Sequence, residues 1–248
     1  MKYKEFGDIE KPTIVLLHGG GLSWWSLKKL IEDLQTEYHI VTPIIDGHGE
    51  NGETTFISVK DSASKLIWYI DNFCNGKVFA LGGLSLGAQI VAEIISMRAD
   101  IAEYAIIESA LVYPIKGTTA LTVPTFKLFY GLLRKKWFSK VQAKTLFVPN
   151  NMFEQYFKDS LNISKQSLIN ITLSNGNYSL KNSISDFNGK VLIIVGEKEI
   201  GIMQKSAKTL HNVLSDSQLY IAKKMRHGEI SLVNSNEYLT LIKSFFVK

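Results

Sequence analysis

Short apolar runs alternate with longer amphipathic segments along most of the chain. Six runs have the length and composition of β-strands, and they cover residues 13–17, 38–45, 77–81, 103–107, 191–195 and 218–222. Apolar residues recur at helical spacing in the segments 24–36, 59–73, 88–97, 203–214 and 235–247. In a chain of 248 residues, this alternation predicts one α/β domain built on a mostly parallel sheet.

Residues 114–189 interrupt this alternation. A stripe of apolar residues at helical spacing contains Phe126, Phe129, Tyr130, Leu133 and Trp137. A second amphipathic helix is predicted from Met152 to Leu161. We therefore predict a core of residues 1–113 and 190–248, with residues 114–189 inserted as a helical cap. The aromatic residues Phe126, Phe129, Tyr130 and Trp137 are the predicted walls of a substrate pocket under that cap.

The charge distribution narrows the classes of partner. The net charge is +5, but residues 114–189 carry +7 and the rest of the chain carries −2. No nucleic-acid-binding motif accompanies the basic excess, so a solvated basic surface is expected and no nucleic-acid partner is predicted. A single cysteine, Cys74, fits a reducing compartment. No apolar run reaches the ~20 residues of a membrane helix, and the N-terminus lacks a signal-peptide pattern, so we expect a cytoplasmic protein without stable membrane insertion.

The first candidate for chemistry is Ser85, at the junction between a predicted strand and a predicted helix. It lies in the pattern Gly83-x-Ser85-x-Gly87, which is typical of a nucleophile elbow. The glycines allow the tight turn, and the helix N-terminus offers free N–H groups to a developing oxyanion.

A second glycine-rich turn, His18-Gly19-Gly20-Gly21, follows the first predicted strand. Glycines there let backbone N–H groups approach a bound oxygen, so this turn is a candidate oxyanion loop; an ordinary turn is the alternative.

A serine nucleophile needs a histidine base and an acid that orients it. His227 follows the last predicted strand, where its side chain can reach over the sheet. His211 falls inside a helix, and His48 in a glycine turn is better explained by backbone hydrogen bonding than by catalysis. Acids follow two strands: Glu197 and Glu199 after residue 195, and Glu108 after residue 107.

Taken together, these motifs resemble the α/β-hydrolase superfamily, in its single-domain esterase, lipase and peptidase-like branch. The resemblance implies an eight-stranded, mostly parallel sheet flanked by helices, with a cap inserted after the sixth strand. It implies that Ser85 is the nucleophile and His227 the base, and that the N–H groups of Gly20 and Leu86 form the oxyanion hole. The family's Gly-x-x-Asp appears here as Gly196-x-x-Glu199, so Glu199 is the first candidate acid.

The remaining acids, Glu108 and Glu197, stay as alternatives. A serine at the elbow indicates acyl transfer, and esters or thioesters with largely apolar acyl groups are the expected substrates. No metal or cofactor is predicted. Two alternatives stay open: a ligand-binding signalling module of the same fold with little turnover, and an enzyme that cleaves amides or peptides.

Overall fold

A seven-stranded sheet organises the protein, whose computed structural model describes residues 1–247. Its strand order is β1-β3-β2-β4-β5-β6-β7, with β1 antiparallel to β3 and all other neighbouring pairs parallel. The strands are β1 (Lys2–Phe6), β2 (Thr13–Leu17), β3 (His39–Ile44), β4 (Val78–Leu84), β5 (Ala102–Glu108), β6 (Lys190–Gly196) and β7 (Ser217–Ala222).

Helices cover both faces of the sheet. They are α1 (Lys28–Leu34), α2 (Val59–Phe73), α3 (Leu86–Met97), α4 (Thr118–Leu133), α5 (Lys136–Thr145), α6 (Phe153–Asn162), α7 (Lys165–Gly176), α8 (Gly201–Val213), α9 (Glu229–Leu232) and α10 (Ser235–Phe246). Apolar residues of α2, α3 and α8 form the core on one face, and those of α1 and α10 form the core on the other. Burial on both faces explains why the central strands read as continuous apolar runs.

The expected sheet of eight strands is wrong by one: the described residues form seven. The six strands found from apolar runs are present, and β1 joins them at one edge. Strand β1 has no fully buried residue, and three of its five residues are only partly exposed. Such an edge strand carries no apolar run, so the apolar pattern could not identify it.

The connection between β5 and β6 contains four helices, α4 to α7, so the insertion follows the fifth strand of this sheet instead of the expected sixth. The predicted aromatic stripe is divided, because α4 ends at Leu133 and α5 begins at Lys136. Helix α7 packs on α4 and against α2 of the core, and α6 contacts the loop after β3. We call the segment 114–189 the cap. None of the helices within residues 1–247 is both long and apolar enough to cross a membrane.

The carboxyl ends of the parallel strands lie along one edge of the sheet, which we call the carboxyl edge. Parallel strands bring the residues that follow them to this same edge, where ligands usually bind in open α/β sheets. The candidate groups all follow such strands: the His18–Gly21 turn after β2, Ser85 after β4, Glu108 and Ser109 around the end of β5, Glu199 after β6, and His227 after β7.

Candidate active site

Ser85 occupies a strained turn between β4 and α3. Its backbone has φ 54° and ψ −111°, a conformation that is costly for a residue with a side chain. The Ser85 amide donates a hydrogen bond of 2.9 Å to the carbonyl of Glu108, which ties the turn to β5. A Cβ on Gly83 would collide with the backbone of Gly87, and one on Gly87 would lie 2.6 Å from the Leu17 carbonyl oxygen. Both glycines of the motif are therefore required by close backbone approach.

His227 and Glu199 form a hydrogen-bonded pair beside this turn. Nδ1 of His227 lies 2.7 Å from Oε2 of Glu199. The other carboxylate oxygen accepts hydrogen bonds from the Ser109 hydroxyl at 2.7 Å and the Gly196 amide at 2.8 Å. The Glu199 side chain is 1% exposed, whereas that of His227 is 44% exposed. Burial alone would raise the pKa of Glu199, but the hydrogen bond with His227 and the donors Ser109 and Gly196 outweigh it and lower the pKa.

The two alternative acids are placed differently. Glu197 is exposed, and its carboxylate accepts a hydrogen bond from the Lys224 amide. Glu108 is buried beside Ser231, and neither of its carboxyl oxygens makes a hydrogen bond of normal geometry among the described residues. Burial raises the pKa of Glu108 to about 7. Of the three carboxylates, the structure brings Glu199 to the ring of His227.

The other two histidines considered in the sequence have local partners. His48 is buried, and its ring contacts the carbonyl of Asp46 through Nδ1 at 3.0 Å. His211 lies in the last turn of α8 and contacts the hydroxyl of Ser217 at 2.9 Å. Neither histidine lines the cavity that contains Ser85.

The turn after β2 is held by a buried neutral histidine. His18 Nε2 accepts a hydrogen bond from the Ile45 amide, so Nδ1 carries the proton and donates to the Gly19 carbonyl at 2.9 Å. Burial, together with the nearby His48 ring, lowers the pKa of His18 to about 3. The turn lies against the start of α3: a Cβ on Gly20 would be 3.7 Å from the Leu86 side chain. The two predicted oxyanion donors, Gly20 and Leu86, thus belong to adjacent segments.

A cavity of about 560 Å³ lies in front of Ser85 and His227. None of the four aromatic residues predicted as its walls, Phe126, Phe129, Tyr130 and Trp137, is among the residues that line it. Its apolar walls are Leu111, Ile115, Phe147, Ile200 and Met203. Helical spacing shows which residues share a face of a helix, but it does not show the direction in which that face points. The aromatic stripe therefore could not identify the cavity walls.

Sequence reasoning also missed polar residues at the site. Ser109 supports Glu199, whereas the sequence pattern points only to its neighbour Glu108. Lys144, Lys198 and Arg226 line the cavity and come from three separate segments. No sequence motif marks these cations.

Within residues 1–247, no cluster of three His, Cys, Asp or Glu side chains is arranged to hold a metal ion.

Comparisons with known proteins agree with this architecture. A family model described as "Alpha/beta hydrolase family" matches residues 14–180. The uncharacterized hydrolase YugF of Bacillus subtilis (strain 168) is 24% identical over 239 residues, covering 91% of this chain and 86% of its own length.

Solved structures share the fold. A thermophilic esterase from Thermogutta terrifontis has a TM-score of 0.78 at 14% identity, over 98% of this chain and 92% of its own. A bromoperoxidase from Bacillus anthracis has a TM-score of 0.82 at 18% identity, over 99% and 95%. An esterase and a bromoperoxidase both have this fold, so the fold alone does not select the reaction.

Proposed function

Since this chain belongs to the alpha/beta hydrolase family, we propose that it is a serine hydrolase that cleaves carboxylic esters through Ser85, His227 and Glu199. The observation that carries the proposal is the 2.7 Å contact between His227 Nδ1 and Glu199, beside a cavity that Ser85 and His227 both line. A buried carboxylate that holds one imidazole nitrogen leaves the other nitrogen available as a base.

In the proposed reaction, the Ser85 hydroxyl attacks the ester carbonyl while Nε2 of His227 takes its proton. The buried Glu199 carboxylate stabilises the resulting imidazolium and keeps the ring oriented. The tetrahedral oxyanion accepts hydrogen bonds from the N–H groups of Leu86 and Gly20. Collapse expels the alcohol, which takes the proton from His227, and leaves an acyl group on Ser85. Water then attacks the acyl carbonyl while His227 takes its proton. The bond between the acyl group and the Ser85 oxygen breaks, the carboxylic acid leaves, and Ser85 regains its proton from His227.

The proposed substrates are esters, or thioesters, with small and largely apolar acyl groups. Five apolar side chains line the cavity, and they offer surface for an acyl chain. Alkoxide and thiolate leaving groups need less protonation than an amine does. The cations at the cavity, Lys144, Lys198 and Arg226, would tolerate a negative charge elsewhere in the substrate.

Active-site labelling tests the proposal directly. The protein is treated with a fluorophosphonate or an alkyl phosphonate ester, digested, and mapped by mass spectrometry. We expect one modified peptide, with the phosphonyl group on Ser85. We also expect Ser85→Ala to remain folded, to lose labelling, and to lose ester hydrolysis by several orders of magnitude.

A matched control is Ser109→Ala, because Ser109 lies at the same cavity but only supports Glu199. This variant should keep labelling at Ser85. Labelling of another residue, or full activity in Ser85→Ala, would refute the proposed mechanism. Labelling of Ser85 without turnover across ester, thioester and amide panels would favour the ligand-binding alternative.

A further inference from the structure

Helix α4 of the cap exposes apolar side chains where a helix in water normally exposes polar ones. Of its 16 residues, all of which the structure describes, only Thr122 is buried. By contrast, Leu121 is 66% exposed, Leu128 is 75% exposed and Phe129 is 50% exposed. These three residues are spaced at i, i+7 and i+8, so they share one face of the helix. Exposed apolar side chains grouped on one face of a helix are typical of a surface that binds a partner or a membrane.

The next helix, α5, also exposes apolar side chains. On α5, Trp137 and Val141 are four residues apart, and both are more than half exposed. We call the exposed apolar side chains of the two helices the outer face of the cap; they are Leu121, Leu128, Phe129, Trp137 and Val141. The active-site cavity does not use any of the five.

The segment that contains the outer face is strongly basic in sequence. Residues 109–153 contain seven Lys and Arg residues and no Asp or Glu. The seven are Lys116, Lys127, Arg134, Lys135, Lys136, Lys140 and Lys144, of which Lys144 lines the active-site cavity. Lys136 pairs with Glu154 at 2.7 Å, whereas the other six form no ion pair with an acidic side chain among residues 1–247.

The basic charge favours one kind of binding partner for the outer face over another. A second copy of the chain, docked face to face, would bring two strongly basic surfaces together, and like charges oppose that association. An anionic surface would be attracted by the unpaired lysines and arginine and would also receive the apolar side chains. We propose that the outer face of the cap binds the surface of an anionic lipid bilayer.

The dimensions of α4 fit binding along the surface. Sixteen helical residues span roughly 24 Å, which is less than the ~30 Å hydrocarbon core of a bilayer. The helix would therefore lie in the interface, with leucine and phenylalanine among the acyl chains and Trp137 near the headgroups. Lys127, Arg134 and Lys135 would contact the lipid phosphates. Binding of this kind is independent of the proposed hydrolysis.

Vesicle co-flotation of the full chain tests the proposal. The probes are phosphatidylcholine vesicles and vesicles with equal parts of phosphatidylcholine and phosphatidylglycerol, at low and at high salt. We expect at least about tenfold tighter binding to the anionic vesicles, weakened by salt. The double variant Leu121→Ser/Leu128→Ser should lose most binding, and so should Arg134→Glu/Lys135→Glu.

Two matched controls make the same kinds of substitution at exposed residues outside the cap. Trp68→Ser removes an exposed aromatic residue of α2, and Lys208→Glu reverses an exposed charge of α8. Both should bind anionic vesicles like the wild type. Unchanged thermal midpoints and unchanged hydrolysis of a soluble ester would show that the cap variants remain folded.

Three results would overturn the proposal. The first is no binding to anionic vesicles at low salt, and the second is equal binding to neutral and anionic vesicles. The third is an effect of the control variants equal to that of the cap variants. A concentration-dependent dimer that Leu121→Ser/Leu128→Ser abolishes, without vesicle binding, would assign the face to a second copy instead.

Discussion

At the carboxyl edge of the sheet, hydrogen bonds restrain Ser85 and Glu199, whereas the cap leaves large side chains exposed to solvent. Ser85 is held by the Glu108 carbonyl, and Glu199 by the Gly196 amide and Ser109. On α4, Leu128 has three quarters of its side chain in solvent. If the proposed hydrolysis and membrane binding are both correct, the edge needs fixed positions for its reacting groups, whereas the cap surface needs only apolar and basic side chains.

Glu199→Gln should produce the largest effect and is the sharpest test of geometric constraint at the edge. The amide would remain beside His227 but would no longer stabilise a positive ring. We expect kcat/KM for a soluble ester to fall roughly 10²–10⁴-fold. Glu197→Gln, one of the alternative acids, should leave kcat/KM nearly unchanged because Glu197 is exposed and bonds only to the Lys224 amide.

If Glu108→Gln lowered kcat/KM strongly and Glu199→Gln lowered it only slightly, the acid that orients His227 would be Glu108, at the end of β5. That outcome would also mean that the hydrogen bond between His227 and Glu199 is not the one that catalysis uses.

Glu108 provides a second test of the carboxyl edge. Its carboxyl group is buried there and makes no hydrogen bond of normal geometry among the described residues. Its pKa rises from 4.5 to about 7 on burial. Between these values the folded state holds a proton that the unfolded state has lost, so the free energy of unfolding decreases as pH rises from 4.5 to 7. Below pH 4.5 the carboxyl is protonated in both states, and above pH 7 the cost is constant.

Glu108→Gln should therefore be more stable than the wild type at pH 8, by up to about 3 kcal/mol, and equally stable at pH 4. Urea unfolding at the two pH values measures the difference. A gain of the same size at both pH values would indicate improved packing instead of a removed charge. Glu197→Gln, which changes an exposed carboxylate, is the matched control.

The sequence alone predicts some of these features and not others. Ser85 and its glycines were identifiable because the turn imposes local steric requirements that few residue types satisfy. Strand β1 was missed because an edge strand has no continuous apolar run. The choice among Glu108, Glu197 and Glu199 needs the positions of their carboxylates relative to His227, and sequence spacing does not give those positions. The cavity walls come from distant segments, so helical periodicity could not identify them.

A pair of glycine substitutions compares the two regions directly. Gly83→Ala places a methyl group against the Gly87 backbone, which cannot retreat without distorting the elbow. We expect a loss of at least about 2 kcal/mol in the free energy of unfolding. Gly131→Ala adds the same methyl group inside α4, where no atom beyond the two chain neighbours and the helix's own backbone lies within 4 Å of the new Cβ.

The Gly131→Ala substitution should stabilise the protein by about 0.5–1 kcal/mol, because alanine favours the helix and restricts the unfolded chain. Chemical denaturation measures both effects. Equal losses at the two positions would contradict the distinction between a sterically fixed edge and an open cap.

The smallest expected effect concerns which part of the cap contacts the acyl group. Phe147 lines the cavity, whereas Phe126 does not, although both belong to the cap. A buried methylene contributes about 0.8 kcal/mol, so kcat/KM should rise roughly fourfold per added methylene until the cavity is full. Phe147→Ala should change that rise and its cutoff, because the substitution alters the wall itself. Phe126→Ala should leave the dependence of kcat/KM on acyl length as it is in the wild type.

Because burial of apolar surface is not screened by salt, this dependence should be the same at low and high ionic strength. A series that is flat in acyl length, steep in salt and higher for anionic esters would instead assign selection to Lys144, Lys198 and Arg226. The cavity would then recognise charge, and its apolar walls would serve only to exclude water.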